Sequence, residues 1–119
     1  MDFETKIENQ ITIVKPLNPN IDATVSTEFK GKVIDLIIGE NKYFLLNLSL
    51  VNFVDSSGLG AIISILKTVK MNNGEIVICE MHQTVLNLFK LTRLDQVFKI
   101  LADESLGLAF LLDLKKKEI

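Results

Sequence analysis

Several residue types that build cross-linked or metal-bound folds are scarce in this chain. It has one cysteine, Cys79, which excludes an internal disulfide and a multi-cysteine zinc site. It has no tryptophan and one tyrosine, Tyr43, so aromatic packing rests mainly on seven phenylalanines. Cys79 itself lies in the apolar run Ile76–Cys79, which is typical of a small buried side chain rather than a reactive thiol.

Long apolar runs and a strong charge of either sign are also missing. The net charge of −2 gives no broad electrostatic reason to bind nucleic acid or anionic lipid. No apolar run is long enough to span a bilayer. Asp2 and Glu4 stand where a secretion signal would carry positive charge and an apolar stretch. We therefore expect a cytoplasmic protein that inserts into no membrane and binds no nucleic acid.

The apolar pattern predicts strands that alternate with helices in a single domain spanning residues 1–119. A hairpin within residues 3–14, with a turn at Asn9-Gln10, makes the predicted sheet mixed. The other predicted strands lie near residues 43–48, 76–79 and 97–100, and the helices near 25–38, 59–71, 84–89 and 104–117. The expected fold class is α/β, with a mixed, mostly parallel sheet of four to five strands packed with about four helices.

Capping residues mark most of the predicted helix ends. Asp22 or Thr24 can cap the first helix, which Gly39 ends. Asn72-Asn73-Gly74 closes the second helix, because Asn and Gly tolerate the left-handed backbone of a C-terminal cap. Asp103 can cap the last helix, whose C-terminal lysines match the helix dipole.

The segment Asp55-Ser56-Ser57-Gly58-Leu59-Gly60 lies between a predicted strand and a helix, where α/β sheets usually bind ligands and partners. Asp55 is expected to be the N-cap, with Ser56 and Ser57 in or beside the first turn. Gly58 and Gly60 are expected to leave the surface bare for a partner. Leu59 is either a core residue or an exposed contact. Asp-Ser-Ser before an apolar helix is also an ordinary capping sequence, so the segment alone leaves both interpretations open.

Catalytic motifs do not fit this segment. The lipase-type elbow needs Gly-x-Ser-x-Gly, but Val54 and Asp55 stand two residues before the serines. The single histidine, His82, is the only candidate base and is expected in an exposed turn. A Walker loop is absent, and Ile63 occupies the third glycine position of a dinucleotide fingerprint. We expect a binding protein with no metal and no cofactor rather than an enzyme using Ser56 or Ser57.

The segment Asp55–Gly60 resembles the STAS domains of bacterial anti-sigma-factor antagonists, in which a strand leads into Asp-Ser-Ser/Thr-Gly-Leu-Gly. The resemblance extends to 47–54, to 73–76 and to the helix at 85–92, and so implies a single STAS domain. It implies that Ser56 is phosphorylated by the anti-sigma factor, an ATP-dependent serine kinase of the GHKL type. The unphosphorylated antagonist would bind this kinase and release a sigma factor, and a phosphatase would reset it.

The resemblance also implies a partner surface formed by Asp22, Asp55, Ser57, Gly58, Leu59 and Gly60. Ser57 matches a neighbouring position that is usually not the main phosphate acceptor. Pro19 and Arg93 depart from the pattern, because the family commonly has glycine at both positions. STAS domains also serve lipid-transporting ABC systems, stressosome-like assemblies and anion transporters, and the first two remain alternative functions.

Overall fold

The computed structural model describes residues 2–39 and 41–117 of the chain. The strands in these ranges are β1 Phe3–Glu8, β2 Ile11–Pro16, β3 Asn20–Ile21, β4 Tyr43–Asn47, β5 Phe53–Val54, β6 Glu75–Cys79 and β7 Lys99–Leu101. The helices are α1 Ser26–Ile38, α2 Ser56–Met71, α3 Gln83–Leu91 and α4 Glu104–Lys117, with a 3-10 turn at Leu94–Gln96.

The main sheet has five strands in the order β1-β2-β4-β6-β7. The β1–β2 pair is antiparallel, and every other neighbouring pair is parallel. Asn9 and Gln10 both have positive φ, of 50° and 68°, as a two-residue hairpin requires. The prediction of a mixed, mostly parallel sheet with four helices is therefore confirmed.

A second, two-stranded sheet was not predicted. Its strands β3 and β5 are parallel, with Asn20 opposite Phe53 and Ile21 opposite Val54. Two residues show no periodicity that distinguishes a strand from a loop, so the sequence carries no signal for this pair. The small sheet matters for function because β5 leads directly into the Asp55–Gly60 segment.

The core lies on both faces of the main sheet, as the alternation of side chains along a strand requires. In β4, Phe44 and Leu46 join the larger apolar cluster, which includes residues of α1, α2 and α3. Tyr43 and Leu45 face the other way and pack with Leu111 of α4. The predicted burial of Cys79 is confirmed. This burial, together with the nearby carboxylates of Glu80, Glu104 and Asp103, raises the pKa of its thiol to about 12.

The structure corrects the predicted N-cap of α1, and it confirms the predicted end of α2 with a different backbone geometry. The N-cap of α1 is Val25 rather than Asp22 or Thr24, because a turn at residues 23–25 precedes the helix. At the end of α2, Asn73 alone adopts the left-handed backbone, with φ of 62°. Gly74 is required for a different reason: a Cβ there would lie 2.5 Å from the Lys42 carbonyl oxygen.

No helix within residues 2–39 and 41–117 combines the length and apolarity needed to cross a membrane.

Candidate functional site

The Asp55–Gly60 segment is the start of a helix rather than a free loop. Asp55 is the N-cap with an extended backbone, and α2 begins at Ser56, immediately after β5. The Asp55 backbone carbonyl accepts the N–H of Leu59 at 2.8 Å, which closes the first helical turn. The predicted N-cap is confirmed, and it places Ser56 and Ser57 at the first two helical positions.

Both oxygens of the Asp55 carboxylate accept backbone hydrogen bonds. Oδ1 accepts the N–H of Gly58 at 2.8 Å, which is the usual N-cap bond. Oδ2 accepts the N–H of Ala23 at 3.0 Å, in the turn that follows β3. The Asp55 N–H in turn donates to the Ile21 carbonyl at 3.3 Å. Asp55 therefore joins the start of α2 to the turn that contains Asp22.

Asp22 organises that turn through its own carboxylate. Its Oδ1 accepts hydrogen bonds from the Thr24 hydroxyl at 2.5 Å and from the Thr24 backbone N–H at 3.0 Å. These two bonds, the hydroxyl first, hold the Asp22 pKa below its ordinary value, because both stabilise the charged form. Asp22 and Asp55 thus lie on adjacent segments.

Ser56 and Ser57 are both exposed side chains. Neither hydroxyl has a hydrogen-bond partner within the described part of the chain. Asp55 occupies the N–H of Gly58, whereas the first two N–H groups of α2 have no partner of their own in a helix. The geometry therefore presents two accessible hydroxyls at the positive end of a 16-residue helix.

The two glycines of the segment have different roles. Gly58 is buried, and a Cβ there would lie 1.9 Å from the Ile21 carbonyl oxygen. The expectation that Gly58 leaves the surface bare is therefore wrong, because its missing side chain permits close packing against β3. Gly60 is exposed, and a Cβ there would meet nothing within 4 Å, which agrees with a bare surface. Leu59 is half-buried and packs against the larger core cluster.

His82 does not form a catalytic pair with the serines. It is exposed at the N-cap of α3, and its Nε2 makes a hydrogen bond of 2.5 Å with the Ser49 carbonyl oxygen. The described residues contain no cluster of three or more His, Cys, Asp or Glu side chains suited to holding a metal ion.

The two positions that depart from the resembled pattern lie in different surroundings. The Pro19 carbonyl accepts the N–H of Asn52 at 2.7 Å and of Phe53 at 3.2 Å, next to the β3–β5 pair. Arg93 has φ of 60°, a left-handed backbone that glycine adopts at lower cost. Pro19 therefore belongs to the framework of the site, and Arg93 carries local backbone strain.

Two features of the site were missed from the sequence. Ala23 contributes through its backbone N–H, and no residue type signals such a contact. Phe53 is about half exposed beside the site, although it is a large aromatic residue in a strand. Strand alternation would place Phe53 on the same face as the buried Val51, two residues before it, so the sequence carries no signal for its exposure. Together these features define an α/β domain with an exposed serine pair at a doubly anchored helix start.

Comparison with known proteins supplies the family. A model described as the STAS domain matches residues 2–115. A Thermotoga maritima protein assigned provisionally as an anti-sigma factor antagonist is 34% identical over 100 residues, covering 82% of this chain and 87% of that protein. The chain therefore belongs to the STAS domain family, among its anti-sigma-factor antagonists.

Solved structures agree with this fold. A crystal structure of a Thermotoga maritima protein with the same provisional assignment superposes with a TM-score of 0.86 at 27% identity, covering 92% of this chain and 93% of that one. The Bacillus cell fate determinant SpoIIAA in its phosphorylated form superposes with a TM-score of 0.68 at 15% identity. That superposition covers 87% of this chain and 95% of SpoIIAA, and at this identity it shows a shared fold alone.

Proposed function

We propose that this chain is a phosphorylation-switched anti-sigma-factor antagonist. In its unphosphorylated form it binds an anti-sigma-factor serine kinase of the GHKL type and so releases a sigma factor, and a phosphatase acting on phospho-Ser56 restores this form. The observation that carries the proposal is the position of Ser56, exposed at the first residue of α2 and directly after the N-cap Asp55. These partners control transcription, so the proposal places the chain in the cytoplasm.

The phosphoryl transfer itself requires little of this chain. The Ser56 Oγ forms a bond to the γ-phosphorus of ATP, the bond to ADP breaks, and the serine proton passes to a base on the kinase. An exposed hydroxyl with no intramolecular hydrogen bond suits this reaction, since no internal contact has to be lost first. The chain acts as substrate and binding partner, and the kinase supplies the catalytic groups.

The fold is expected to tolerate the phosphate. A phosphoserine carries about −1.5 to −2 charge at neutral pH. The first turn of α2 contains no acidic residue, and the positive end of a helix stabilises an anion. The Asp55 bonds to Gly58 and Ala23 do not involve the serine hydroxyls and can persist. The switch would therefore act without refolding the domain.

The same charge would oppose binding. Phospho-Ser56 would be next to Asp55 in the chain. The turn that follows Asp22 also contacts Asp55, because the Ala23 N–H donates to the Asp55 carboxylate. A protein interface that buries this acidic group would have to desolvate it without a paired cation, which costs several kcal/mol per ion by general estimates. The proposed partner surface consists of Asp22, Asp55, Ser57, Leu59 and Gly60 around Ser56.

The choice of Ser56 over Ser57 is supported by the family resemblance. Both side chains are exposed, so accessibility does not separate them. They differ in register, because Ser56 is adjacent to the N-cap and Ser57 is one residue further into the helix.

Incubation with the kinase and ATP, followed by phosphate mapping by mass spectrometry, tests the proposal. We expect phosphate on Ser56, with its loss in Ser56→Ala and its retention in Ser57→Ala. Ser105→Ala, at an exposed serine of α4, is the matched control and should be phosphorylated like the wild type. Ser56→Asp should bind the kinase more weakly than the wild type.

Three results would contradict the proposal. The first is phosphate confined to residues outside α2, and the second is a Ser56→Asp variant with wild-type affinity for the kinase. The third is affinity capture that recovers the ATPase of a lipid transporter in place of a serine kinase, which would favour the alternative family role.

A further inference from the structure

An apolar groove lies between β5 and α3, immediately beside the proposed phosphorylation site. It has a volume of about 300 Å³. Its apolar walls are formed by Phe53, Val54, Val85, Leu88 and Leu91. The polar residues at the groove, Thr84 and Asn87, carry no charge.

Two apolar residues of this groove have strongly exposed side chains. Leu91 is 83% exposed and Phe53 is 51% exposed. Single exposed apolar residues are common on protein surfaces, but a pair that lines one concave groove is typical of an interaction site. Phe53 also belongs to β5, which pairs with β3 in the described part of the chain and contacts α3.

The groove lies close to Ser56. Val54 precedes Ser56 by two residues, so their Cα atoms lie within about 7 Å of each other. A specific protein interface buries about 800 Å² on each partner. A partner that covers Ser56 and buries this much surface must also contact residues beyond the first turn of α2. The groove offers such a partner a concave apolar surface within about 7 Å of Ser56.

We propose that the kinase that recognises Ser56 inserts an uncharged apolar side chain, of the size of Leu, Ile, Met or Phe, into this groove. This inference rests on the proposed function and adds the chemical character of the kinase side chain that contacts the groove. The uncharged lining favours an apolar group over a charged one, because a buried charge would have no counterpart there. Burial of the exposed faces of Phe53 and Leu91 supplies affinity, and the adjacent serine supplies the phosphorylation switch.

The test measures the affinity of the purified kinase, with ADP bound, for variants of the unphosphorylated full chain. Phe53→Ser and Leu91→Ser should each weaken binding by about tenfold or more, as truncation of a buried anchor does in other interfaces. Leu91→Met keeps the apolar volume and should retain binding within about twofold, which corresponds to less than 0.5 kcal/mol. Thermal unfolding of each variant shows whether its fold is intact.

Met71→Ser is the matched control. Met71 is 82% exposed and ends α2, about 22 Å along the helix axis from Ser56. Its replacement should leave kinase affinity unchanged. Wild-type affinity in folded Phe53→Ser and Leu91→Ser would overturn the groove proposal while leaving the phosphorylation switch in place. Failure of the wild type to bind any serine kinase would instead overturn the proposed function, and the groove proposal with it.

Discussion

The carboxylate of Asp55 accepts a hydrogen bond from the backbone N–H of Ala23 at 3.0 Å, across 32 positions of the chain. Its second oxygen accepts the N–H of Gly58 at 2.8 Å. One side chain therefore holds the turn after β3 against the first turn of α2. This arrangement holds the turn that follows Asp22 against Asp55, the residue that precedes Ser56.

Asp55→Ala should lower the free energy of unfolding by about 1–3 kcal/mol, because it removes an N-cap and a second hydrogen bond. Asp55→Asn keeps one acceptor oxygen and should lower it by less. The measurement is urea denaturation, together with hydrogen exchange of the Ala23 amide, which should accelerate in Asp55→Ala.

Asp35→Ala is the control for this pair, since Asp35 is an exposed residue of α1. The free energy of unfolding of Asp35→Ala should not fall below that of the wild type. Unchanged Ala23 exchange in Asp55→Ala would show that the bond between the two segments is not formed in solution.

Gly58→Ala and Gly60→Ala should have opposite effects, although they lie two residues apart in one helix. Gly58→Ala should lower the free energy of unfolding by about 2 kcal/mol or more, because its Cβ would overlap the Ile21 carbonyl oxygen. A Cβ at Gly60 would contact nothing within 4 Å. Gly60→Ala should therefore raise the free energy of unfolding by about 0.4–1 kcal/mol, because it lowers the entropy of the unfolded chain. Chemical denaturation distinguishes them, and a shift in the same direction for both would contradict the packing described.

Gly60→Ala also tests the partner surface. If the kinase covers this part of α2 closely, the stabilised variant should bind it more weakly than the wild type. A stabilised variant with full affinity would remove Gly60 from the proposed surface.

The Asp22 carboxyl should titrate below its ordinary pKa of about 3.9. The main cause is the hydrogen bond from the Thr24 hydroxyl, followed by that from the Thr24 N–H. Because the folded pKa is lowered, this group stabilises the fold above the unfolded pKa, and its contribution is lost as pH falls through the folded pKa. Carbon-detected NMR titration measures the shift directly.

Thr24→Val removes the hydroxyl and should raise the Asp22 pKa toward its ordinary value. Thr24→Ser keeps a hydroxyl and should leave the pKa lowered. Equal Asp22 pKa values in the two variants would assign the shift to the backbone bond alone.

Arg93→Gly should raise the free energy of unfolding by up to about 1 kcal/mol, since it relieves a left-handed backbone that costs other residues about 1–2 kcal/mol. Arg93→Ala keeps the Cβ and should bring no such gain. Thermal unfolding compares the two variants, and an equal melting temperature would show that the turn before Leu94–Gln96 is not strained.

Much of the architecture followed from local chemistry. The alternation of apolar segments predicted the mixed sheet and its helices, the Asn9-Gln10 pair predicted the hairpin turn, and the position of Asp55 before an apolar helix predicted its cap. These features depend on neighbouring residues in the chain, so the sequence carries their signal directly. The prediction for α1 was less accurate, because Asp22 has the chemistry of a cap but its carboxylate bonds to Thr24 within the preceding turn.

The sequence by itself determined the order of the main-sheet strands and the helices, and the capped start of α2 with Ser56 and Ser57 in its first turn. Only the tertiary structure decided that β3 pairs with β5, that Asp55 binds Ala23, and that Gly58 packs on Ile21. The tertiary structure likewise placed Phe53 and Leu91 on one groove. The physical reason is common to all of these contacts. Each joins residues that are distant in the chain, through backbone atoms or small surfaces whose partners are defined only after the domain has folded.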